Sequence, residues 1–242
     1  NVKILDVSEA IAESRLVKDD EEIKKIRRAA EITTKIWKNI PSILSNNVTE
    51  SEVKAQISYQ IQKEGATTAF EPITSFGVNT AEPHYLGGNA ELKLGDFALF
   101  DFGARNRRYC ADLTRTLVVG HPSDKQKRIY DAVFEASNVG LDMLKAGIEA
   151  CEVHRKVADS IASKGFRKEF THSTGHALGL AVHDGATLST TSKFTLEEGM
   201  VFTIEPGIYL PGFGGVRIED DVLIRKRDCE ILTSTGREIL EI

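Results

Sequence analysis

The chain has 242 residues, 41% apolar and 28% charged, with a formal net charge of −5. This is a globular composition, and its acidic balance argues against a nucleic-acid partner. No stretch approaches the roughly 18 apolar residues of a membrane span, and the opening NVKILDVSEA lacks the basic leader and long apolar core of a signal peptide.

Taken in chain order, Asp19 or Asp20 caps a predicted helix to about Asn39, with Ile23, Ile26, Ala30, Ile32 and Trp37 as its apolar stripe. Thr49 followed by Glu52 is a capping box opening a second helix that stops at Gly65. Strands are predicted near 73–78, 97–103 and 109–119. Helices over 123–144 and 149–164, each running up to a glycine, come next, then strands over 201–205, 216–225 and 229–232. Helix pairs followed by strand pairs predict an α+β fold, and without a low-complexity linker the chain reads as one domain. Cys110, Cys151 and Cys229 are odd in number and form no CxxC pair, so reduced thiols in a cytoplasmic protein are expected. Arg225-Lys226-Arg227 is too short to be a nucleic-acid patch and reads as a solvated strand end.

Residues 201–224, VFTIEPGIYLPGFGGVRIEDDVLI, read as two strands joined by a Gly/Pro-rich turn, yet they carry Glu205 and Glu219. Val201, Thr203 and Glu205 share one face by the two-residue period. A carboxylate ending such a face must be solvated, protonated or paired with something strongly positive. A weak internal repeat extends the pattern. Gly95 to Gly103 (GDFALFDFG) matches Gly199 to Gly207 (GMVFTIEPG), aligning Asp101 with Glu205, and each copy turns into a second strand bearing Asp112 or Glu219. Two acid-bearing hairpins about a pseudo-twofold centre are therefore expected.

Four converging carboxylates repel one another and are best neutralised by cations; hard oxygen donors suit Mn²⁺, Co²⁺, Mg²⁺ or Zn²⁺. THSTGHALGLAVHD adds His172, His176 and His183 among small residues, which tilts the choice toward a transition metal. His121 in GHPS reads as a turn residue, His154 as a helix-surface residue and Cys110 as a small buried filler.

The segments FDFGARNRRYCADLTRTLVVG, HSTGHALGLAVHD and LEEGMVFTIEPGIYLPGFGGVRIEDDVLI resemble the signatures of the pita-bread metallopeptidases, most closely the Xaa-Pro branch of prolidase and aminopeptidase P. The resemblance covers roughly residues 19–240. It implies a pseudo-twofold antiparallel sheet with two helix pairs, and two divalent ions, Mn²⁺ or Co²⁺ and sometimes Zn²⁺. It assigns Asp101, Asp112, His176, Glu205 and Glu219 as ligands. Asp112 and Glu219 would bridge both ions, Asp101 would bind one, and His176 and Glu205 the other. By the same resemblance Glu205 shuttles the proton of the attacking water and His183 stabilises the oxyanion. His84, in EPHYLGGN, and His172 are the other pocket histidines, and Tyr209 and Arg217 orient the acids. The implied substrate is a dipeptide or short peptide with proline second, and a homodimer is the implied assembly.

Family members carry an N-terminal domain before this unit. Residues 1–18 read as the tail of that connection and 19–242 as the catalytic domain, and a start at Asn1 rather than Met is what a fragment or processed product would show. Where many dipeptidases have an arginine after the equivalent of His183-Asp184, this chain has Gly185-Ala186-Thr187-Leu188. The alternatives are a methionine-aminopeptidase-like enzyme, which shares the five ligands, a non-catalytic pita-bread binding module, and a metal-free creatinase-like hydrolase.

Overall fold

Capping chemistry sets where three of the four long helices begin. The computed structural model describes residues 5–45 and 47–242, so residues 1–4 of the expected connecting segment lie outside it. Within that segment a short helix, α1 (Ser8–Ser14), is followed by a bridge from Val17 to Met200. In α2 (Asp20–Ile43) the Asp19 carboxylate accepts from the Glu22 N–H while the Glu22 side chain accepts from the Asp19 N–H. This helix continues past its predicted end through Pro41, which forgoes one backbone hydrogen bond. Thr49 and Glu52 make the same reciprocal pair at the start of α3 (Glu50–Lys63). Ile32, Ile36 and Ile40 of α2 and Val53, Ile57 and Ile61 of α3 bury against the first sheet.

The first half continues with β1 (Thr67–Thr68), β2 (Ile73–Phe76), β3 (Phe97–Phe102), β4 (Ala104–Asn106), β5 (Tyr109–Cys110) and β6 (Leu113–Val118). The second half repeats the plan. It runs through α4 (Asp124–Met143), α5 (Ala150–Ser163), β7 (Gly175–His176), β8 (Thr187–Leu188), β9 (Val201–Ile204), β10 (Gly207–Leu210), β11 (Gly214–Arg217), β12 (Asp220–Ile224), β13 (Cys229–Ile231) and β14 (Leu240–Glu241). Among the described residues the largest sheet has the order β14-β6-β3-β2; its counterpart in the second half has the order β13-β12-β9, and β1-β4-β5, β10-β11 and β7-β8 form smaller sheets. Leu141, Val153, Phe202, Ile204, Val222 and Ile224 build the second core beneath α4 and α5. Most pairs are antiparallel as expected; β14 departs from the pattern by lying parallel to β6, with Leu240 opposite Leu117.

Two strands predicted as continuous are broken, each at a carboxylate. The run 109–119 divides between β5 and β6 at Ala111-Asp112, and 216–225 divides between β11 and β12 at Ile218-Glu219. The cause is that each acid's backbone bonds across the centre of the molecule instead of within its own hairpin. The Asp112 N–H donates to Asp221 Oδ2 at 2.9 Å, and the Glu219 N–H donates to the Thr114 carbonyl at 3.0 Å. Residues 201–224 accordingly hold four strands, not two. After β9 the Glu205 N–H turns to the Thr174 carbonyl at 2.8 Å, and Pro206 has no N–H with which to resume the ladder.

The repeated glycines also have physical causes. Gly95 and Gly199 adopt left-handed backbone at φ +88° and +91°, where side chains are strained. Gly103 lets the Asp112 hairpin close, since a Cβ there would sit 1.7 Å from the Ala111 carbonyl oxygen. Gly103→Ala is therefore expected to destabilise the fold by about 3 kcal/mol or more, the upper range for overpacking; thermal melting checks this, and an unchanged midpoint would contradict it. Among the described residues no helix is long and apolar enough to cross a membrane, and all three cysteines are unpaired.

Candidate metal centre

The pseudo-twofold brings the four strand acids to one cavity of about 340 Å³. Asp101 lies in β3 and Glu205 just past the matching β9; Asp112 precedes β6 and Glu219 precedes β12. Asp101, Asp112, His176, Glu205, Glu219, Arg217, His84, His172 and His183 all line this cavity, and Tyr209 stands behind it. Of these, Asp112, His176 and Glu219 converge most tightly, offering ligand atoms that all lie within 4.8 Å of one another. His176 Nε2 is 3.7 Å from Asp112 Oδ2 and 3.5 Å from Glu205 Oε1. Two donors each about 2.1 Å from one ion are at most about 4.2 Å apart, so both separations suit a shared cation.

Neighbouring side chains fix the direction in which each donor points. His176 Nδ1 lies 3.3 Å from the Ala177 carbonyl, which can only accept; the proton therefore sits on Nδ1 and leaves the Nε2 lone pair toward the acids. Thr203 accepts from the His176 backbone N–H at 3.0 Å and donates to Glu205 Oε1 at 3.2 Å. Thr114 donates to Glu219 Oε2 at 2.5 Å and accepts from Arg217 Nε at 3.0 Å. Arg217 Nη2 holds Asp101 Oδ2 at 2.6 Å, and its Nη1 donates to the Tyr209 hydroxyl at 2.8 Å. His172 Nδ1 donates to the Ser173 carbonyl at 2.8 Å, so its Nε2 is the acceptor and the Tyr209 hydroxyl donates to it at 2.9 Å. His172 thus has both nitrogens engaged by protein, whereas His183 stands at the exposed mouth, its ring edge-on to His176 at 4.1 Å.

The expected helix-surface position of His154 needs correction. It is half-buried, its Nδ1 is 3.0 Å from Thr174 Oγ1, and its ring packs on Phe170, which in turn meets His172 edge-on. The apolar ring of Phe170, seven residues beyond the end of α5 at Ser163, covers that face. His121 lies on the surface beside Glu241 and Cys110 is buried, both as read from the sequence. Thr114 and Thr203 carry functions that sequence reading did not assign. The available signal for Thr203 was its spacing two residues from Glu205; Thr114 carries no such local signal, because its carboxylate partner Glu219 is 105 residues away.

Burial pushes Asp112 and Glu219 well above the ordinary carboxylate range, and the surrounding acids push both further. Burial likewise lowers the pKa of His176, which favours the neutral, ligating imidazole, and it pushes Tyr209 up to about 12. Divalent cations fit this donor set. Asp101 Oδ1 and Asp112 Oδ1 are buried and accept no hydrogen bond, the condition a cation relieves. Because the folded carboxylates have raised pKa values, each alone makes the metal-free fold less stable as pH rises from the unfolded value to the folded one. A cation must displace those protons and compete with protonation of His176. Its stabilisation should therefore shrink as pH falls through the raised values and level off above them. Melting curves with and without Mn²⁺ between about pH 5 and about pH 8 test this; a metal-induced gain that is constant across the range would contradict it.

Comparison with known proteins agrees with this geometry. A model of metallopeptidase family M24 matches residues 24–226. The chain is 40% identical over 235 residues to the Xaa-Pro dipeptidase of Pyrococcus horikoshii, covering 97% of this chain and 67% of the relative. It superposes on the Xaa-Pro dipeptidase from Bacillus anthracis with a TM-score of 0.94 at 40% identity, covering 96% of this chain and 66% of that one. Against Escherichia coli aminopeptidase P the TM-score is 0.88 at 30% identity, covering 95% and 59%. The chain thus spans about two thirds or less of the length of these relatives. With the pita-bread architecture, the metal-competent centre and these matches in agreement, the chain belongs to metallopeptidase family M24.

Proposed function

We propose that this chain is a dinuclear-metal peptidase that hydrolyses the Xaa-Pro bond at the amino terminus of dipeptides or short peptides. The observation that carries the proposal is the convergence of Asp101, Asp112, His176, Glu205 and Glu219 on one cavity with His183 at its mouth. The named relatives, Xaa-Pro dipeptidases and aminopeptidase P, support the same substrate class. These five side chains would hold two divalent ions, Mn²⁺ or Co²⁺ before Zn²⁺, since four of the five offer hard oxygen. Bound there, the ions supply Lewis acidity and lower the pKa of water toward neutrality.

The chain's own residues supply the remaining chemistry. Glu205 has Oε1 steadied by Thr203, and burial raises its pKa, which suits a carboxylate that takes a proton from the attacking water and passes it to the leaving proline nitrogen. His183 has a pKa lowered by partial burial and by His176, so at neutral pH it is a neutral N–H donor able to meet the developing oxyanion. Phe70, Ile73, Pro83 and Val182 give the cavity an apolar wall, the chemistry that receives a proline ring. A cytoplasmic location, expected from the unpaired cysteines, and a homodimer, implied by the family resemblance, belong to the same reading.

Specificity tests the proposal. With Mn²⁺ or Co²⁺ present, kcat/KM is expected to be high for peptides with proline second and negligible for Xaa-Ala peptides of equal length. Preferential cleavage after an N-terminal methionine regardless of the second residue would instead support the methionine-aminopeptidase-like reading. Comparing Xaa-Pro dipeptides with Xaa-Pro-Yaa peptides separates dipeptidase from aminopeptidase P.

A further inference from the structure

The residue after His183 is a buried carboxylate that the chemistry above does not use. The Asp184 side chain is 3% exposed and is gripped by two cations from the segment that follows α1. Arg15 Nη2 pairs with Oδ1, and Lys18 Nζ, itself buried, lies 3.8 Å from Oδ2. Lys18 also donates from Nζ to the Leu16 carbonyl at 3.0 Å, and its backbone N–H donates to the Gly199 carbonyl at 3.0 Å. Together with the Val17–Met200 bridge, this fastens the segment to the start of β9.

The loop carrying His183 is tied down at its start by the Leu178 N–H to the Val201 carbonyl at 3.0 Å and the Cys110 N–H to the Gly179 carbonyl at 2.8 Å. Its closure rests on the Asp184 N–H to the Ala177 carbonyl and the Ala177 N–H to the Ala186 carbonyl, both 2.8 Å. Gly179 leaves room for the ionic cluster: a Cβ there would meet Asp184 Oδ2 at 2.3 Å and Lys18 Cε at 3.0 Å. A buried carboxylate with two cationic partners resists displacement, because separating them strands charge in a low dielectric. His183, one residue away, has its ring at the exposed mouth.

From this geometry we infer that Asp184 is a positioning residue for His183, and that Arg15 and Lys18, in a segment the sequence marks only as a connection, complete the peptidase site by holding Asp184. The inference rests on the role of His183 proposed above. A side chain displaced by about 1 Å can cost a reaction about 10²-fold, so the effect falls on turnover and not on substrate affinity or metal content.

A double-mutant cycle on the Mn²⁺-loaded full chain tests it, with an Xaa-Pro dipeptide as substrate and bound metal measured for each variant. Asp184→Asn is expected to lower kcat about tenfold to about 100-fold with KM and metal content unchanged. In the His183→Ala background the same change should alter kcat by less than about twofold, because the group it positions is gone. Arg15→Met should behave as a weaker Asp184→Asn, and Arg15→Lys should restore most of the loss; this pair serves if Asp184→Asn does not fold. An equal fall in both backgrounds would show a general structural role and overturn the inference. Loss of turnover in His183→Ala with none in Asp184→Asn or Arg15→Met overturns this inference alone, whereas full turnover in His183→Ala overturns the role of His183 and this inference with it.

Discussion

Glu219→Gln is expected to lose bound metal and at least about 10³-fold in turnover, the equivalent of several kcal/mol of lost charge stabilisation. Glu219 is 2% exposed, and its carboxylate meets Asp112 and His176 where a cation would sit. Glutamine keeps the shape and can still accept from Thr114, but it removes the negative charge. The two states of the protein should respond with opposite signs. Metal-free Glu219→Gln should be at least as stable as the parent, because one of several mutually repelling buried acids is gone. The parent should gain about 2.7 kcal/mol from metal at a hundredfold excess over its dissociation constant, and the variant should gain little. Paired melting curves with and without Mn²⁺ check this; an equal metal response in the two proteins would remove Glu219 from the ligand set.

His183→Ala should lower kcat by about 10²–10³-fold while metal content and the metal-dependent melting gain stay at parental values, as when one oxyanion donor is lost. The contrast with Glu219→Gln is the informative part. His183 is exposed at the mouth, with its ring against His176 and not among the converging carboxylates. Removing it leaves the Nδ1-protonated tautomer of His176 intact, because that tautomer is set by the Ala177 carbonyl. If His183→Ala lost metal together with turnover, it would be acting as a ligand or as a support for His176, and the oxyanion assignment would fail.

Features dictated by short-range chemistry were the ones legible in the sequence. Thr49 with Glu52 announces α3 because a capping box uses residues three apart, and an acid at Asp19 or Asp20 marks the start of α2, where the structure has Asp19 as the cap. The alignment of Asp101 with Glu205 was visible because the same turn and closure demands recur, through Gly95 and Gly199 on one side and Gly103 and Gly207 on the other. Long-range pairing left no such trace. Nothing near Asp112 in sequence indicates that its N–H is satisfied by Asp221, so β5 and β6 read as one strand. The short β14 was missed because two residues give no period, and its partner β6 is more than a hundred positions away. His154 was misplaced because Phe170, which covers it, comes from beyond its own helix. Arg15 and Lys18 fall in the segment that reads only as a connection, since their carboxylate partner Asp184 arrives from the far half of the chain.

The most direct measurement of the central claim is anomalous diffraction from crystals of the chain grown with Mn²⁺. The account predicts two peaks about 3.5–4 Å apart, enclosed by Asp101, Asp112, His176, Glu205 and Glu219, with Asp112 and Glu219 touching both. A metal bound elsewhere, or these five side chains pointing apart with Mn²⁺ present, would contradict it.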